Sequence, residues 1–264
     1  MGDVTFLCSF MKSGRTYLRF ALAHYLEATF RLGVELDFEG MYQIVPNLSS
    51  HRTRGLDQFR FAEVPGLPVV VCAHDPYAPQ PFGLAPVILL LRAPHDTLTS
   101  LYFHEAHHAR VFGGTLAELL DPGDASARDA TREWAAYASS WAAALPELEH
   151  LVITYERLLE DPGRELRRVL ELLGLAPDAT ALATAIERSS FDQMRALELA
   201  GRLVPGETYD PRDDRARRVR EGKVGGYARH MSPALAARVA ARLDELLTDE
   251  AKALLQAHGI DHHV

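Results

Sequence analysis

Four short apolar runs with no polar alternation, at residues 4–8, 69–73, 87–91 and 151–154, constrain this chain more than any other feature. A strand with one wet face alternates in polarity. A run that is apolar at every position is covered on both faces, as in a parallel sheet. Helical periodicity fills the intervals. Residues 15–32 carry Leu18, Leu22, Tyr25 and Leu26 at helical spacing, and 94–108, 130–144, 163–173, 178–188 and 233–258 continue the pattern. The helix after the third run opens with Pro94 and Asp96, residues suited to a first turn. Strands alternating with helices predict a doubly wound α/β fold, in which ligands bind outside the carboxyl ends of the strands. With 264 residues, 47% hydrophobic and 24% charged, one domain over 1–264 is expected. Two stretches without clear periodicity, 33–68 and 200–227, read as functional loops.

Composition narrows the function. A formal net charge of −8 argues against a nucleic-acid partner. No run approaches the length of a membrane span, and MGDVTFLCSF lacks the basic flank and long apolar stretch of a signal peptide. Cys8 and Cys72 both fall in strand runs and read as buried thiols, so a cytoplasmic location is expected. No Cys/His spacing suits zinc, and His104 with His108 lacks a third ligand, so no metal is expected. A second base at His104 stays open, and the role of His107 is undetermined.

The strand ends carry the chemistry. The first run passes through Ser9-Phe10-Met11-Lys12-Ser13-Gly14-Arg15-Thr16-Tyr17 into a helix. Such a turn offers free backbone N–H groups and the positive end of a helix dipole to an anion. Lys12 adds a cation, and Ser13 and Thr16 add hydroxyls. The spacing is not a Walker motif, because Arg15 stands where its lysine belongs. A helix start capped by Ser13, with Lys12 solvated, is the alternative. The third run ends in Arg92, with Ser100 two turns into the next helix. An arginine fork and a hydroxyl suit a phosphate, the alternative being an Arg92–Asp96 ion pair. The second run ends in Ala73-His74-Asp75-Pro76. An imidazole there can take a proton near neutral pH, or can be merely solvated. Three strands delivering Lys12, His74 and Arg92 to one edge argue more strongly together than apart.

These residues, with three further segments, resemble the cytosolic-type sulfotransferases that use 3′-phosphoadenosine 5′-phosphosulfate (PAPS) as sulfuryl donor. The segment from Ser9 to Arg19 is similar to that family's 5′-phosphosulfate loop, and Arg92 to Ser100 to its 3′-phosphate site. Tyr155-Glu156-Arg157-Leu158-Leu159-Glu160-Asp161-Pro162 is similar to the segment after its fourth strand. Ser189-Ser190-Phe191-Asp192-Gln193-Met194 is similar to its adenine-contacting stretch, and Arg220 to Tyr227 to its C-terminal lid. The five segments occur in family order. The resemblance implies a P-loop-like three-layer sandwich, with a mostly parallel central sheet flanked by helices. It further implies Lys12 at the departing phosphate, backbone amides of Ser13, Gly14, Arg15, Thr16 and Tyr17 around it, and Tyr17 stacked on adenine. Arg92 and Ser100 would hold the 3′-phosphate, and Tyr155, Ser189 and Phe191 would frame the base. Arg220, Glu221 and Gly222 would form the lid, and His74 would be the general base. PAP would be the released product, and no metal would be required.

The sequence departs from the family at Met11 for proline, Arg15 for threonine or asparagine, Glu221 for the lid lysine, and Gly226-Tyr227 for Asp-Trp. A carboxylate at Glu221 would repel a phosphate, with Arg215, Arg217, Arg218 and Lys223 near enough in sequence to compensate. The acceptor is expected to be a small molecule reached through loops 33–68 and 102–130. Phe38, Met41, Tyr42, Phe59, Tyr77 and Phe82 could line a pocket for an aromatic or lipophilic acceptor, or could pack those loops onto the core. A homodimer through residues 233–258 is left open. The competing readings are a magnesium-dependent P-loop kinase and a non-catalytic nucleotide-binding module.

Overall fold

The structure, a computed structural model, describes residues 4–49, 51–124 and 126–263. Its centre is a parallel sheet of four strands, β1 (Val4–Ser9), β2 (Val69–Ala73), β3 (Val87–Leu91) and β4 (His150–Thr154), in the order β2-β1-β3-β4. The register pairs Leu7 with Cys72 and Ile88, and Leu89 with Val152. The chain leaves β1 toward β2 and leaves β3 toward β4, so the direction of winding reverses between β1 and β3. A crevice opens at such a reversal, beyond the carboxyl ends of the strands.

Both faces of the sheet are buried, which is why the strands read as unbroken apolar runs. Leu7, Cys72, Ile88 and Leu90 face one core, with Leu18, Leu22 and Leu26 of the Arg15–Phe30 helix and Leu166 and Val169 of the Pro162–Leu172 helix. Cys8, Val71, Leu89 and Leu91 face the other, with Trp134 and Trp141 of the Ala130–Ala144 helix and Val239 and Leu243 of the Pro233–Leu246 helix. Trp141 and Leu243 are fully buried, so each contributes about 1.5–3 kcal/mol of apolar burial. Cys8 and Cys72 are buried free thiols, and Cys72 Sγ accepts a hydrogen bond from Arg19 Nε at 3.2 Å. Among the described residues, no helix is long and apolar enough to cross a membrane.

Two helical expectations need correction. The pattern over 233–258 is two helices, Pro233–Leu246 and Asp249–Ala257. Leu247 is extended, and the Thr248 hydroxyl accepts from the Ala251 N–H, capping a new start. The pattern over 94–108 is an α-helix, Pro94–Phe103, that widens into a π-turn at His104–His108. Such turns recur at functional sites because the extra residue re-aims the side chains beyond it.

Candidate active site

The four strand ends converge on one cleft of about 420 Å³, lined by Lys12 after β1, His74 after β2, Arg92 after β3 and Tyr155 after β4. The β1 turn is tight: Lys12 and Gly14 both have positive φ, 67° and 96°. Gly14, not Ser13, caps the following helix, and makes no side-chain cap bond. Ser13 is buried behind the turn. A Cβ at Gly14 would stand 2.4 Å from the Tyr155 ring, so the bare backbone is what lets the ring approach the loop. Gly14→Ala is therefore expected to destabilise the fold by about 1–3 kcal/mol, through the clash and the left-handed backbone. A urea titration reads this directly, and an unchanged midpoint would refute the packing argument.

Arg92 ties the crevice together. One guanidinium nitrogen donates to the Lys12 carbonyl at 3.0 Å and another to the Lys223 carbonyl at 3.4 Å, while the carbon lies 4.3 Å from the Tyr155 ring centroid. Its ion pair with Asp96 is long, 3.8 Å, because Asp96 serves elsewhere. Arg92 Nε is buried with no hydrogen-bond partner among the described residues. The start of the Pro94–Phe103 helix is fixed by Glu156, whose carboxylate accepts from the Ala93 N–H at 3.0 Å. Ser100 lines the same cleft.

His74 opens onto the cleft while chain encloses its other sides. That enclosure and, after it, the Arg15 guanidinium hold its imidazole well below the ordinary value. Nδ1 lies 2.8 Å from the Ser9 carbonyl oxygen, which can only accept. Nδ1 therefore carries the proton, and Nε2 keeps a free lone pair. Lys12 is lowered to about 7, first by desolvation and then by Arg218. His104 also lines the cleft, with Nδ1 buried and unpartnered among the described residues. Burial, Lys12 and Arg218 drive it to about 2, so it is neutral.

Residues 218–227 close one side of the cleft, strung between two buried carboxylates. Glu198 accepts from the Arg218 N–H at 2.6 Å and the Val219 N–H at 3.1 Å, and the Tyr209 hydroxyl donates to it. Asp96 accepts from the Gly225 and Tyr227 N–H groups at 2.7 and 2.9 Å. Between these anchors, Gly222 has φ 62° and an added Cβ would meet the Phe191 ring at 2.5 Å. Arg220 lies 4.1 Å from the Phe103 ring centroid.

Glu221 is not a bare carboxylate facing an anion. Arg220 and Arg229 donate to it, His230 lies 3.0 Å away, and these partners hold its pKa down against burial. Of the cations expected to compensate, Arg215 and Arg217 pair with Asp213 and Asp214 outside the cleft, Arg215 as an exposed charge and Arg217 as a largely buried one that also donates to the Pro211 carbonyl. Lys223 is exposed and contributes its carbonyl. Arg218 does enter the cleft, where it reaches the Thr16 hydroxyl at 3.4 Å and pairs with Glu207.

Ser189 departs from expectation. It is fully buried and its hydroxyl donates to the Ala185 carbonyl at 2.7 Å, closing its own helix instead of lining the cleft. Phe191 and Met194 do line the cleft, as do Tyr17 and Thr16. Phe38, Met41 and Phe82, candidates for an acceptor wall, are buried in the two cores. Tyr77 packs on Phe82, and Tyr42 carries the Arg19 guanidinium 4.5 Å over its ring.

Sequence reasoning missed Glu207. It lies in the cleft between Arg54 at 3.2 Å, His108 at 2.9 Å and Arg218. Burial would raise it, but the His108 hydrogen bond and the Arg218 charge bring it to about 2. Arg54 and His108 lie 153 and 99 positions away along the chain, and no local spacing announces them.

The sulfotransferase domain family matches residues 3–250. Human sulfotransferase 2B1 is 29% identical over 159 residues, 57% of this chain and 41% of that protein. Human sulfotransferase 2A1 is 25% identical over 152 residues, 58% of this chain and 53% of that protein. The matches thus span about half the length of these curated relatives. A crystal structure of mouse sulfotransferase SULT7A1 complexed with PAP has TM-score 0.64 at 20% identity, covering 97% of this chain and 89% of that one. Retinol dehydratase in complex with androsterone and inactive cofactor PAP has TM-score 0.59 at 18% identity, covering 93% of this chain and 81% of that one. These two likenesses establish a common fold, and the match over residues 3–250 establishes the family. The chain belongs to the sulfotransferase domain family.

Proposed function

We propose that this chain transfers a sulfuryl group from PAPS to a hydroxyl or amine of a small-molecule acceptor. The observation that carries the reading is the convergence of four parallel strand ends on one cleft, with Lys12, His74, Arg92 and Tyr155 at its edge. Two features fit the donor. Arg92 has a buried nitrogen without a partner among the described residues, as a phosphate-reading arginine should. Gly14 and Gly222 let the Tyr155 and Phe191 rings pack against the backbone at the cleft wall, and with Tyr17 these rings give the cleft aromatic edges that suit a base.

In the reaction, the acceptor oxygen or nitrogen bonds to sulfur, the bond from sulfur to the 5′-phosphate oxygen breaks, and the acceptor proton departs. Lys12 and the amides of residues 13–17 offset the charge that develops on the phosphate side. Arg92 and Ser100 read the 3′-phosphate. Arg220 and Gly222 cover it, with Glu221 holding Arg220 in place. Tyr17, Tyr155 and Phe191 frame the base, and Ser189 closes the helix that precedes Phe191. Nε2 of His74 takes the acceptor proton. The work divides within one domain over 1–264, between the lid at 200–227 and acceptor loops at 33–68 and 102–130. Strand ends bearing Arg92 and His74 favour this reading over a magnesium-dependent kinase, which needs a carboxylate for the metal.

The test is calorimetric titration with PAP and with ADP, without magnesium. PAP is expected to bind on the order of 100-fold tighter, since charge-assisted contacts from Arg92 and Ser100 reach only a 3′-phosphate. Equal affinities, or no binding of either, would sink the donor assignment.

A further inference from the structure

We infer that the acceptor is a small hydroxyl compound carrying a carboxylate, and that Arg15 is the residue that recognises it. The inference rests on the sulfotransferase reading and deepens it at the end of the cleft away from the nucleotide.

The first argument is what lines that end. Phe38, Met41 and Phe82 are in the cores, and of the candidate acceptor wall only Tyr42 lines the cleft, where Arg19, Asn47, Ser49, His51 and Arg54 stand beside it. Arg19 is occupied by Cys72 Sγ, Asn47 and the Tyr42 ring. Arg54 pairs with Glu207 and approaches His51 at 3.3 Å, so its charge is met although its Nε is buried without a hydrogen-bond partner among the described residues.

Arg15 is the exception. It lines the cleft, its Nη1 is buried without a hydrogen-bond partner, and it joins no ion pair among the described residues. A guanidinium cannot shed its proton as a lysine can, so a buried and unpaired one calls for an anion. The groups that perturb it most, Arg19, Cys72, Tyr42 and Tyr137, lie on the β2 side of the crevice, and its own field acts on His74. Lys12 is perturbed instead by Arg218, Glu207, Glu198 and Arg92. The two cations of the β1 turn thus serve different ends of the cleft.

The charge balance agrees. Seven cationic side chains and two carboxylates line the cleft, a net excess of five in a chain whose formal charge is −8. The donor brings roughly four negative charges, about two of them on its 3′-phosphate. About one positive charge is left over, which matches a monoanion. A planar fork matches a carboxylate in two parallel hydrogen bonds, beside the His74 imidazole that receives the proton.

The experiment measures binding of 4-hydroxybenzoate and 4-hydroxybenzamide to the full chain saturated with PAP, by calorimetry. The pair differs only in the carboxylate. The acid is expected to bind on the order of 10- to 100-fold tighter than the amide. Arg15→Thr is expected to bring that ratio close to one, and Arg15→Lys to keep part of it. The ratio is internal to each variant, so a change in PAP affinity does not mimic the effect, and a thermal melt verifies that each variant is folded. An acid that binds no better than its amide, neither binding included, overturns the inference, as does a ratio that survives Arg15→Thr. Failure to bind PAP would instead overturn the sulfotransferase reading itself.

Discussion

Alanine at His74 is expected to lower kcat by about 10²–10⁴, the range contributed by a general base, while PAP binding stays close to that of the parent. His74 reaches the cleft from the end of β2, on the opposite side of β1 from β3 and Arg92, so its loss leaves the nucleotide end intact. A steady-state assay with saturating PAPS, paired with PAP calorimetry, separates the two effects. The pH profile gives a second readout. Enclosure and Arg15 hold the imidazole below its ordinary value, so it is already neutral near pH 6.5. On the proposed mechanism neutral imidazole is the active form, and the rate limb belonging to His74 should therefore fall only at lower pH. A variant that keeps turnover, or a parent limb centred above 6.5, would remove His74 from the reaction.

Methionine at Lys12 is expected to lower kcat by about 10²–10³, the usual cost of losing one preorganised charge aimed at developing negative charge. Lys12 titrates near 7 because it is desolvated and crowded by Arg218. An anion in the cleft favours its charged form. At pH 8 the parent should consequently take up close to one proton on binding PAP, and its affinity should decline by up to tenfold per pH unit above 7. Calorimetry in two buffers of different ionisation enthalpy measures the uptake, and Lys12→Met should abolish it. The sign for stability follows from the same shift. An unfolded lysine holds its proton to about 10.4, so between about 7 and 10.4 the unfolded chain binds more protons. The Lys12 contribution to folding therefore becomes more favourable as pH rises through that window. No difference in proton uptake between parent and variant would mean that Lys12 does not meet the donor.

The sheet was legible because its physical signature is local. A strand buried on both faces must be apolar at successive positions, and all four runs match observed strands to within a residue at either end. The residues at the strand ends were legible for the same reason, since His74, Arg92 and Tyr155 follow their runs directly and Lys12 stands in the turn after the first. What could not be read depends on contacts between distant parts of the chain. Glu207 looks like one member of an exposed charge run until Arg54, His108 and Arg218 surround it. Asp96 reads as a first-turn helix residue, yet its carboxylate holds two amides 129 and 131 positions away. Ser189 matched a motif, but its hydroxyl is used by its own helix. The break at Leu247 had a local signal, Thr248 followed by two acidic residues, which the run of apolar residues at helical spacing overrode.

The two carboxylate anchors of the 218–227 segment have a kinetic consequence. Only residues 220–224 lie between the amides held by Glu198 and those held by Asp96. Five residues suspended at both ends flex far less than a lid on a single hinge. A nucleotide that they cover must therefore slip out along the crevice, or wait for one anchor to let go. An anchor of two amides on a buried carboxylate opens by a local unfolding event, whose frequency is set by the strength of those hydrogen bonds. If the chain turns over PAPS as proposed, Asp96 and Glu198, neither of them lining the crevice, would then govern how quickly bound nucleotide leaves between turnovers.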